Sequence, residues 1–527
     1  MTKSFNFVVF VALLIVLGFV TNFNAQSRVI TVEQGVGTLN EAIDGDTTDT
    51  GERIEPENTV YVLARDGYYL TNGIISNDGW TLRIKAEDGD GERPIIMPAV
   101  YGGGESTYPL RPKGDFYITG IYITNMDNGA SLLQRPIRAS ADSIRLVVDD
   151  CQIDFAGQAA FRIDNEWNKI YVTNSIISNI GRMSSPANGR GIDDRSNNID
   201  TLVMENNTMY NLTMTVLRDG GGIINYCKVN HNTILNVAQF GIHFGEAIEV
   251  YFTNNLLINP GFLGQFGDEG RSSVSLLALG DDLVNQGVQQ TVVIDYNNFY
   301  TAPELLAAQP DTVNQVSLFD STTTALMEQN STGSNNIEEA LTFTDGPDLP
   351  TDAITSYYDA NVAVENKTDM DDGEGGARFD GETFLGVLEQ SPFDFSYPTT
   401  AASYTASSNG QPLGALTWFD MEIITSVEQV SQELPEGFEL SNNYPNPFNP
   451  STSIEYSLPS EADVLLTIYN SVGQEVATLI SEVQPAGVYK ATWDGVNNFG
   501  ATVSSGIYFY QLKAGSFIST KKMILLK

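Results

Sequence analysis

The chain has 527 residues and carries 27 Lys+Arg against 66 Asp+Glu, a formal net charge of −39. A surface this acidic repels phosphate backbones and excludes nucleic acid as a partner. The two cysteines, Cys151 and Cys227, are too few for a disulfide scaffold, while the length suits two or three domains.

The N-terminus reads as a secretory signal. Lys3 precedes an apolar run from Phe7 to Val20, and Asn24-Ala25-Gln26 follows, with cleavage expected after Ala25. The run is shorter than the roughly 20 apolar residues that cross a bilayer, so the protein is expected to be exported and then free or held at the outer surface. Residues 27–100 read as an N-terminal cap. Strands are expected over 29–32, 60–63 and 80–84. A short helix is expected from Gly37-Thr38-Leu39-Asn40-Glu41, with Thr38 as N-cap and Glu41 completing a capping box.

From residue 115 onward the chain repeats itself. Asn206-Asn207-Thr208-Met209-Tyr210-Asn211-Leu212 returns as His231-Asn232-Thr233-Ile234-Leu235-Asn236-Val237, with looser copies at Asn174-Ser175-Ile176 and Asn254-Asn255-Leu256. Taking Gly120, Asp150, Asn174, Asn207, Asn232, Asn255 and Asn298 as equivalent points gives spacings of 30, 24, 33, 25, 23 and 43 residues. Such spacing fits stacked three-sided coils with loop insertions. Asn suits the bends because it tolerates left-handed backbone angles and its amide can bond the next coil. The same ruler sets Cys151 and Cys227 three laps apart. Three layers amount to about 14 Å, beyond the roughly 7 Å a disulfide can span, so two buried free thiols are expected.

These segments, together with Gly37-Thr38-Leu39-Asn40-Glu41-Ala42-Ile43 near the start and Gly410-Gln411-Pro412-Leu413-Gly414-Ala415-Leu416-Thr417-Trp418 near the end, resemble the right-handed parallel β-helix of the pectin-lyase-like superfamily. The resemblance covers about residues 28–420, and the β-helix is taken as 26–420. It implies an all-β solenoid and says little about activity, since one fold hosts many chemistries. Between Glu338 and Glu382 the chain holds 13 acidic residues against Lys367 and Arg378, which suggests irregular excursions from the last coils. Residues 421–433 read as a linker.

The C-terminal part changes composition at Asn443-Tyr444-Pro445-Asn446-Pro447-Phe448-Asn449-Pro450. Alternating strands follow, as in Val464-Leu465-Leu466-Thr467-Ile468-Tyr469 and Ser505-Gly506-Ile507-Tyr508-Phe509-Tyr510, and predict a small Ig-like sandwich. Residues 434–527 closely resemble the type A sorting domain of the type IX secretion system of the Bacteroidota. That resemblance implies the secretion machinery as a partner, passage across the outer membrane, and release or surface attachment.

A second strand aligns after each bend: Ile137-Arg138-Ala139, Phe161-Arg162-Ile163, Ile192-Asp193-Asp194, Leu217-Arg218-Asp219 and Ile242-His243-Phe244. If the first member points inward, the second points out. Arg138, Arg162, Asp193, Arg218 and His243 then form one outer stripe, with Arg190, Arg195, Asp219 and Glu246 at its margins. Eight of the 16 arginines fall within residues 135–218, and the guanidinium fork suits carboxylates and sulfates. The expected ligand is an acidic polysaccharide bound by a monomer.

Two chemistries fit the stripe. In β-elimination, Arg138 and Arg162 would neutralise a uronate carboxylate while Arg218 or His243 takes the ring proton. Hydrolysis would use paired carboxylates from Asp193, Asp194 and Asp219. A polysaccharide lyase is the favoured reading; the alternative is a non-catalytic glycan-binding or adhesin protein using the same groove. In a third reading, Arg and Asp on adjacent rungs merely neutralise one another. No cofactor is firmly implied and no Cys/His cluster suggests a transition metal, although the acidic turns Glu87-Asp88-Gly89-Asp90-Gly91-Glu92 and Asp371-Asp372-Gly373-Glu374 offer calcium ligands.

Overall fold

A computed structural model of the chain describes residues 28–99, 109–126, 132–181, 188–218, 221–266, 272–311, 313–358, 393–421, 427–431, 435, 437–459, 462–484, 487–497, 502–515 and 517–526. The segment read as a secretory signal, most of the acidic stretch beyond residue 358 and part of the expected linker lie outside these residues.

The chain from Arg28 onward winds through three all-parallel sheets, two of ten strands and one of nine, so the molecule is a parallel β-helix. Each lap places a strand in the first sheet, turns into the second, then crosses to the third. The first sheet runs from Arg28–Val32 to Thr291–Asp295, the second from Gly35–Val36 to Asn298–Tyr300, and the third from Ile75–Asp78 to Ser317–Phe319.

Apolar residues one lap apart are direct register partners. In the second sheet, Ile123, Ile153, Ile177, Met209, Ile234 and Leu257 form one inner file. In the third, Leu110, Ile137, Phe161, Ile192 and Leu217 form another. All are buried in one continuous core, each worth roughly 1.5–3 kcal/mol.

The bend between the first two sheets is built from two adjacent columns rather than one. Gly120, Asp150, Asn174, Asn206, His231, Asn254 and Tyr296 are the left-handed residues, with φ between 49° and 72°. From Ser175 onward, the next residue in each lap carries a side-chain bond to a neighbouring coil. Asn207 donates from Nδ2 to Asn232 Oδ1 at 2.9 Å, Asn232 to Asn255 at 3.0 Å, and Asn255 to Asn297 at 3.0 Å. Asn207, Asn232, Asn255 and Asn298, used above as bend points, therefore do not share a column with Gly120, Asp150 and Asn174. The coil-to-coil amide bonding is present, one residue past the bend.

Two further expectations at the N-terminus need correction. Laps begin at Arg28, so most of residues 27–100 is solenoid and not a separate cap. The helix Thr38–Asp44 is present over the first coil, but its N-cap is Gly37, at φ 75°, without a side-chain cap bond. Thr38 is the first helical residue. A Cβ at position 37 would lie 2.2 Å from Asn72 Nδ2, which explains why glycine takes the cap position there.

At the far end, helix Ser321–Gln329 covers the last coils with Leu326 and Met327. Residues 393–421 then run back along the outside of the second sheet. Gly414 N bonds Asn254 O at 2.9 Å, Ala415 N bonds Thr233 Oγ1 at 3.0 Å and Trp418 Nε1 bonds Thr208 Oγ1 at 2.6 Å. Phe395, Tyr397 and Leu413 cover the outward Tyr210, Leu235, Leu256 and Ile258. Gly414 sits at φ 84°, and a Cβ there would meet Thr233 Oγ1 at 2.5 Å.

Cys151 and Cys227 are buried free thiols. Cys227 follows Leu202, Ile170 and Leu146 in register, three laps beyond the strand that precedes Cys151. Burial raises the Cys151 thiol to about 12.

The C-terminal unit is a sandwich of two four-stranded antiparallel sheets. Ile454, Tyr456, Val464, Leu466, Trp493, Tyr510 and Leu512 meet between them. Val427–Ser431, read from sequence as linker, is an edge strand of this sandwich and pairs with Gly487–Trp493.

Two predictions follow from the bends. Asn232 accepts from Asn207 and donates to Met204 O and Asn255 while fully buried. Asn232→Ala orphans several groups at about 1–3 kcal/mol each, so a loss of at least ~2 kcal/mol is expected in urea unfolding. His231 is buried with Nδ1 3.3 Å from Gly414 O, and its pKa is lowered to about 4, chiefly by burial. The unfolded imidazole takes up its proton first, so stability is lost as pH falls from about 6.5 towards 4, on the order of 3 kcal/mol in all. His231→Asn, the residue at the same bend in neighbouring laps, should flatten that slope when unfolding is followed at several pH values.

Candidate functional site

The third sheet orders the stripe by register. Arg138 pairs with Arg162, Arg162 with Asp193, Asp193 with Arg218 and Arg218 with His243. The file continues to Ser275, and the opposite Leu110–Ile137 pairing brings Arg111 in ahead of Arg138. The burial pattern of Ile137–Ala139 has its middle residue turned outward, and Arg162 and His243 are likewise half-buried between core residues. The alternation follows from the strand's period of two around the inner apolar file.

The charges on this face are partly balanced by a residue that the sequence reading missed. Asp164 receives Arg138 Nε through Oδ2 and Arg162 Nε through Oδ1, the latter at 2.5 Å. Burial pushes its carboxyl up, but the hydrogen bonds from Arg162 and Arg138 outweigh this and hold it below the usual range. Asp164 lies just past the strand, outside the alternating pattern, so periodicity did not select it. Its cue was chemical: a carboxylate two residues after an arginine of the stripe.

Arg190 and Asp193 are both buried and paired at 3.2 Å between Nη1 and Oδ2. Asp194 is fully buried and accepts from Ser196 N at 3.1 Å, which assigns it to the turn. It does not stand beside Asp193 as a second groove carboxylate, so the Asp193–Asp194 hydrolytic pair lacks the facing arrangement that chemistry requires. Arg195 is exposed in the same turn at φ 58°. Glu246 accepts from Gly280 N at 3.1 Å and holds a loop. The His243 ring lies 4.4 Å from that of Phe240. The Arg218 side chain and Asp219 lie outside the described residues.

One more arginine borders the stripe. Arg135 is only 6% exposed and donates from Nη2 to Gln158 Oε1 at 2.8 Å and to Gln134 Oε1. Burial, then the like charges of Arg162 and Arg138, lower its pKa to about 10.

No group of three or more His, Cys, Asp or Glu suited to a metal occurs among the described residues. The first candidate calcium turn is already served by a protein cation: Arg65 donates to the carbonyls of Glu87 and Gly91, and Lys85 pairs with Asp88 at 2.8 Å. The carbonyls of Glu87 and Gly91 and the carboxylate of Asp88 are thus bonded to side chains. The second turn, 371–374, lies outside the described residues.

Comparisons with known proteins bear on the C-terminal unit. The family profile for the FlgD Ig-like domain matches residues 448–516, in agreement with the sandwich, and fits a C-terminal sorting domain. No curated protein matches the chain. Among solved structures, PorZ, an essential bacterial surface component of the type-IX secretion system of Porphyromonas gingivalis, aligns at 17% identity and a TM-score of 0.14 over 20% of this chain. The chain spans 13% of the length of that structure, and so slight a likeness bears on neither fold nor function.

Asp164→Asn tests the bridging role. Removing one charge from a partly buried cluster of two arginines should cost about 2 kcal/mol, read by urea unfolding at pH 7. Adding Arg138→Gln should recover part of that loss, because one of the two opposed cations is then gone.

Proposed function

We propose that the protein is exported through its C-terminal Ig-like domain and binds an acidic polysaccharide along the third sheet of the β-helix. The observation that carries this reading is the register file of Arg138, Arg162, Asp193, Arg218 and His243. A line of guanidinium groups is a poor solubility device on a chain of net charge −39. Its rung spacing of about 4.8 Å is commensurate with a sugar chain, and the arginine fork matches carboxylates and sulfates. Among the described residues no helix is long and apolar enough to cross a membrane, in keeping with a product released or held at the surface after export.

A lyase is the second reading, favoured by the direct pairing of Arg218 with His243. A neutral imidazole there would accept the ring proton next to a uronate carboxylate that the arginines neutralise. The distinction lies in the product, because elimination leaves an unsaturated uronate and binding leaves the polymer intact.

Incubating the exported chain with polygalacturonate, alginate and glycosaminoglycans separates the readings. We expect saturable binding to at least one acidic polymer, reduced tenfold or more in the Arg138→Gln/Arg162→Gln double variant, and none to neutral dextran. Growth of unsaturated-uronate absorbance assigns elimination. Failure of every acidic polymer to bind removes the proposal. Deleting residues 434–527 should retain the protein inside the cell envelope, and undiminished export would overturn the sorting role.

A further inference from the structure

The outer face of the first sheet carries tyrosines where the third sheet carries arginines. Val250 and Phe252 fill the core, so Glu249 and Tyr251 beside them point outward. Tyr226 lies opposite Glu249 on the preceding rung, and its ring packs 5.7 Å from that of Tyr251 at 41°. Thr291 lies opposite Glu249 on the following rung. Asn330, at the C-terminal end of helix Ser321–Gln329, borders the same place.

One end of the C-terminal sandwich stands across from these residues. Between the two lies an open cleft of about 640 Å³, within the range of small-ligand sites. The sandwich contributes Thr502, Ser504 and Tyr508. Tyr508 is buried behind the cleft, packed on Trp493 with ring centres 5.1 Å apart, and donates to Ser504 O at 2.7 Å.

The chemistry of this lining is narrow. Among its described residues the Glu249 carboxylate is the one charged group, with no Lys, Arg or His. On a chain of net charge −39 such a cleft repels anions. Thr502 and Ser504 are exposed and Thr291 is half-buried. Among the described residues no protein hydrogen bond engages these three hydroxyls, and each can both donate and accept. The half-buried Tyr251 ring sets an apolar face beside them. A hydroxyl-rich ring with CH groups on one side matches both features. A carboxylate, sulfate or phosphate meets no cation here, and a purely apolar group would strand the hydroxyls without water.

We infer that this cleft binds a short neutral saccharide. One pyranose ring stacks on Tyr251, and Thr291, Thr502 and Ser504 bond the hydroxyls of the ligand. The site goes beyond the arginine file: it lies on another sheet, takes an uncharged ligand and needs both units of the chain. Tyr226 is a positioning residue that holds the Tyr251 ring in place. Contacts between neutral groups are insensitive to salt, whereas a polyanion on arginines is bound less tightly as salt rises.

The test uses the full chain and calorimetric titration with cellotriose, mannotriose and galactotriose, with trigalacturonate as the anionic counterpart. At least one neutral trisaccharide should bind saturably, with the same affinity at low and high salt. Tyr251→Ala should weaken that binding by about tenfold, while Tyr251→Phe, which keeps the ring, should stay within about threefold of wild type. The double variant Thr502→Val/Ser504→Ala changes two exposed side chains, so folding is not at stake, and should lose about fivefold or more. Trigalacturonate should not displace the neutral ligand. The inference is overturned if all three neutral trisaccharides fail to bind. Binding that Tyr251→Ala and the double variant both leave unchanged overturns it as well, as does displacement of the neutral ligand by trigalacturonate.

Discussion

Everything in the solenoid depends on closing each lap at the same place. A parallel strand stack has no hairpins to set its register, so the turn must do it. Here the turn is a left-handed residue followed, from Ser175 onward, by a side chain that bonds a neighbouring coil. The left-handed column runs through glycine, aspartate, asparagine, histidine and tyrosine, with φ held between 49° and 72° throughout. The conformation is therefore more constant than the residue that adopts it. The amide one step later ties N–H and carbonyl groups of successive coils that would otherwise be buried without partners. Asn297 extends the chain of amides to Asn336 at 3.0 Å, beyond the last regular bend.

Once register is fixed, the outer face is fixed with it. Residues that share a rung position are about 4.8 Å apart whether or not they attract. Like charges can be stacked only if something offsets them, and this sheet does so from its margins. Asp164 spans two rungs, while Asp193 is drawn to Arg190 within its own strand. The arginines are held by Nε in the first case, which orients the guanidinium plane. The aspartates of this face hold its arginines in place.

The sequence disclosed the file of Arg138, Arg162, Asp193, Arg218 and His243 because a hydrophobic residue precedes each of them and fills the same core position. It disclosed the solenoid because the Asn-Asn-Thr phrase survives in consecutive laps. It misaligned the bends because asparagine occupies both adjacent columns, so identical letters stood for different jobs; only where Gly120 and Asp150 replace it do the jobs separate. The first laps read as a cap because their bends carry no asparagine pair, although their strands obey the same register. Alternation places neither Asp164 nor Arg135 in the stripe, although Arg135 is one of the eight clustered arginines, and the reason is common to both. Each sits beyond the end of a regular strand, where alternation gives no direction and only distances in the folded chain reveal a partner. The edge strand Val427–Ser431 owes its conformation to Gly487–Trp493, about sixty residues later in the chain, and no local pattern could announce it.

The returning segment 393–421 has a consequence for how the molecule comes apart. A solenoid whose coils touch only their neighbours behaves as a one-dimensional array, able to fray from an end one repeat at a time. The segment breaks that independence. Leu416 is bonded to Asn206, Ala415 to Thr233 and Gly414 to Asn254, contacts separated by 210, 182 and 160 positions. Three successive coils are thereby fastened by one continuous strap, and none of them can open without releasing it. The central coils should therefore melt as a single cooperative unit, and the coils that carry Arg218 and His243 lie within it. The arginine-rich coils of Arg138 and Arg162 lie on its N-terminal side, where the array keeps its nearest-neighbour character and each rung can breathe separately.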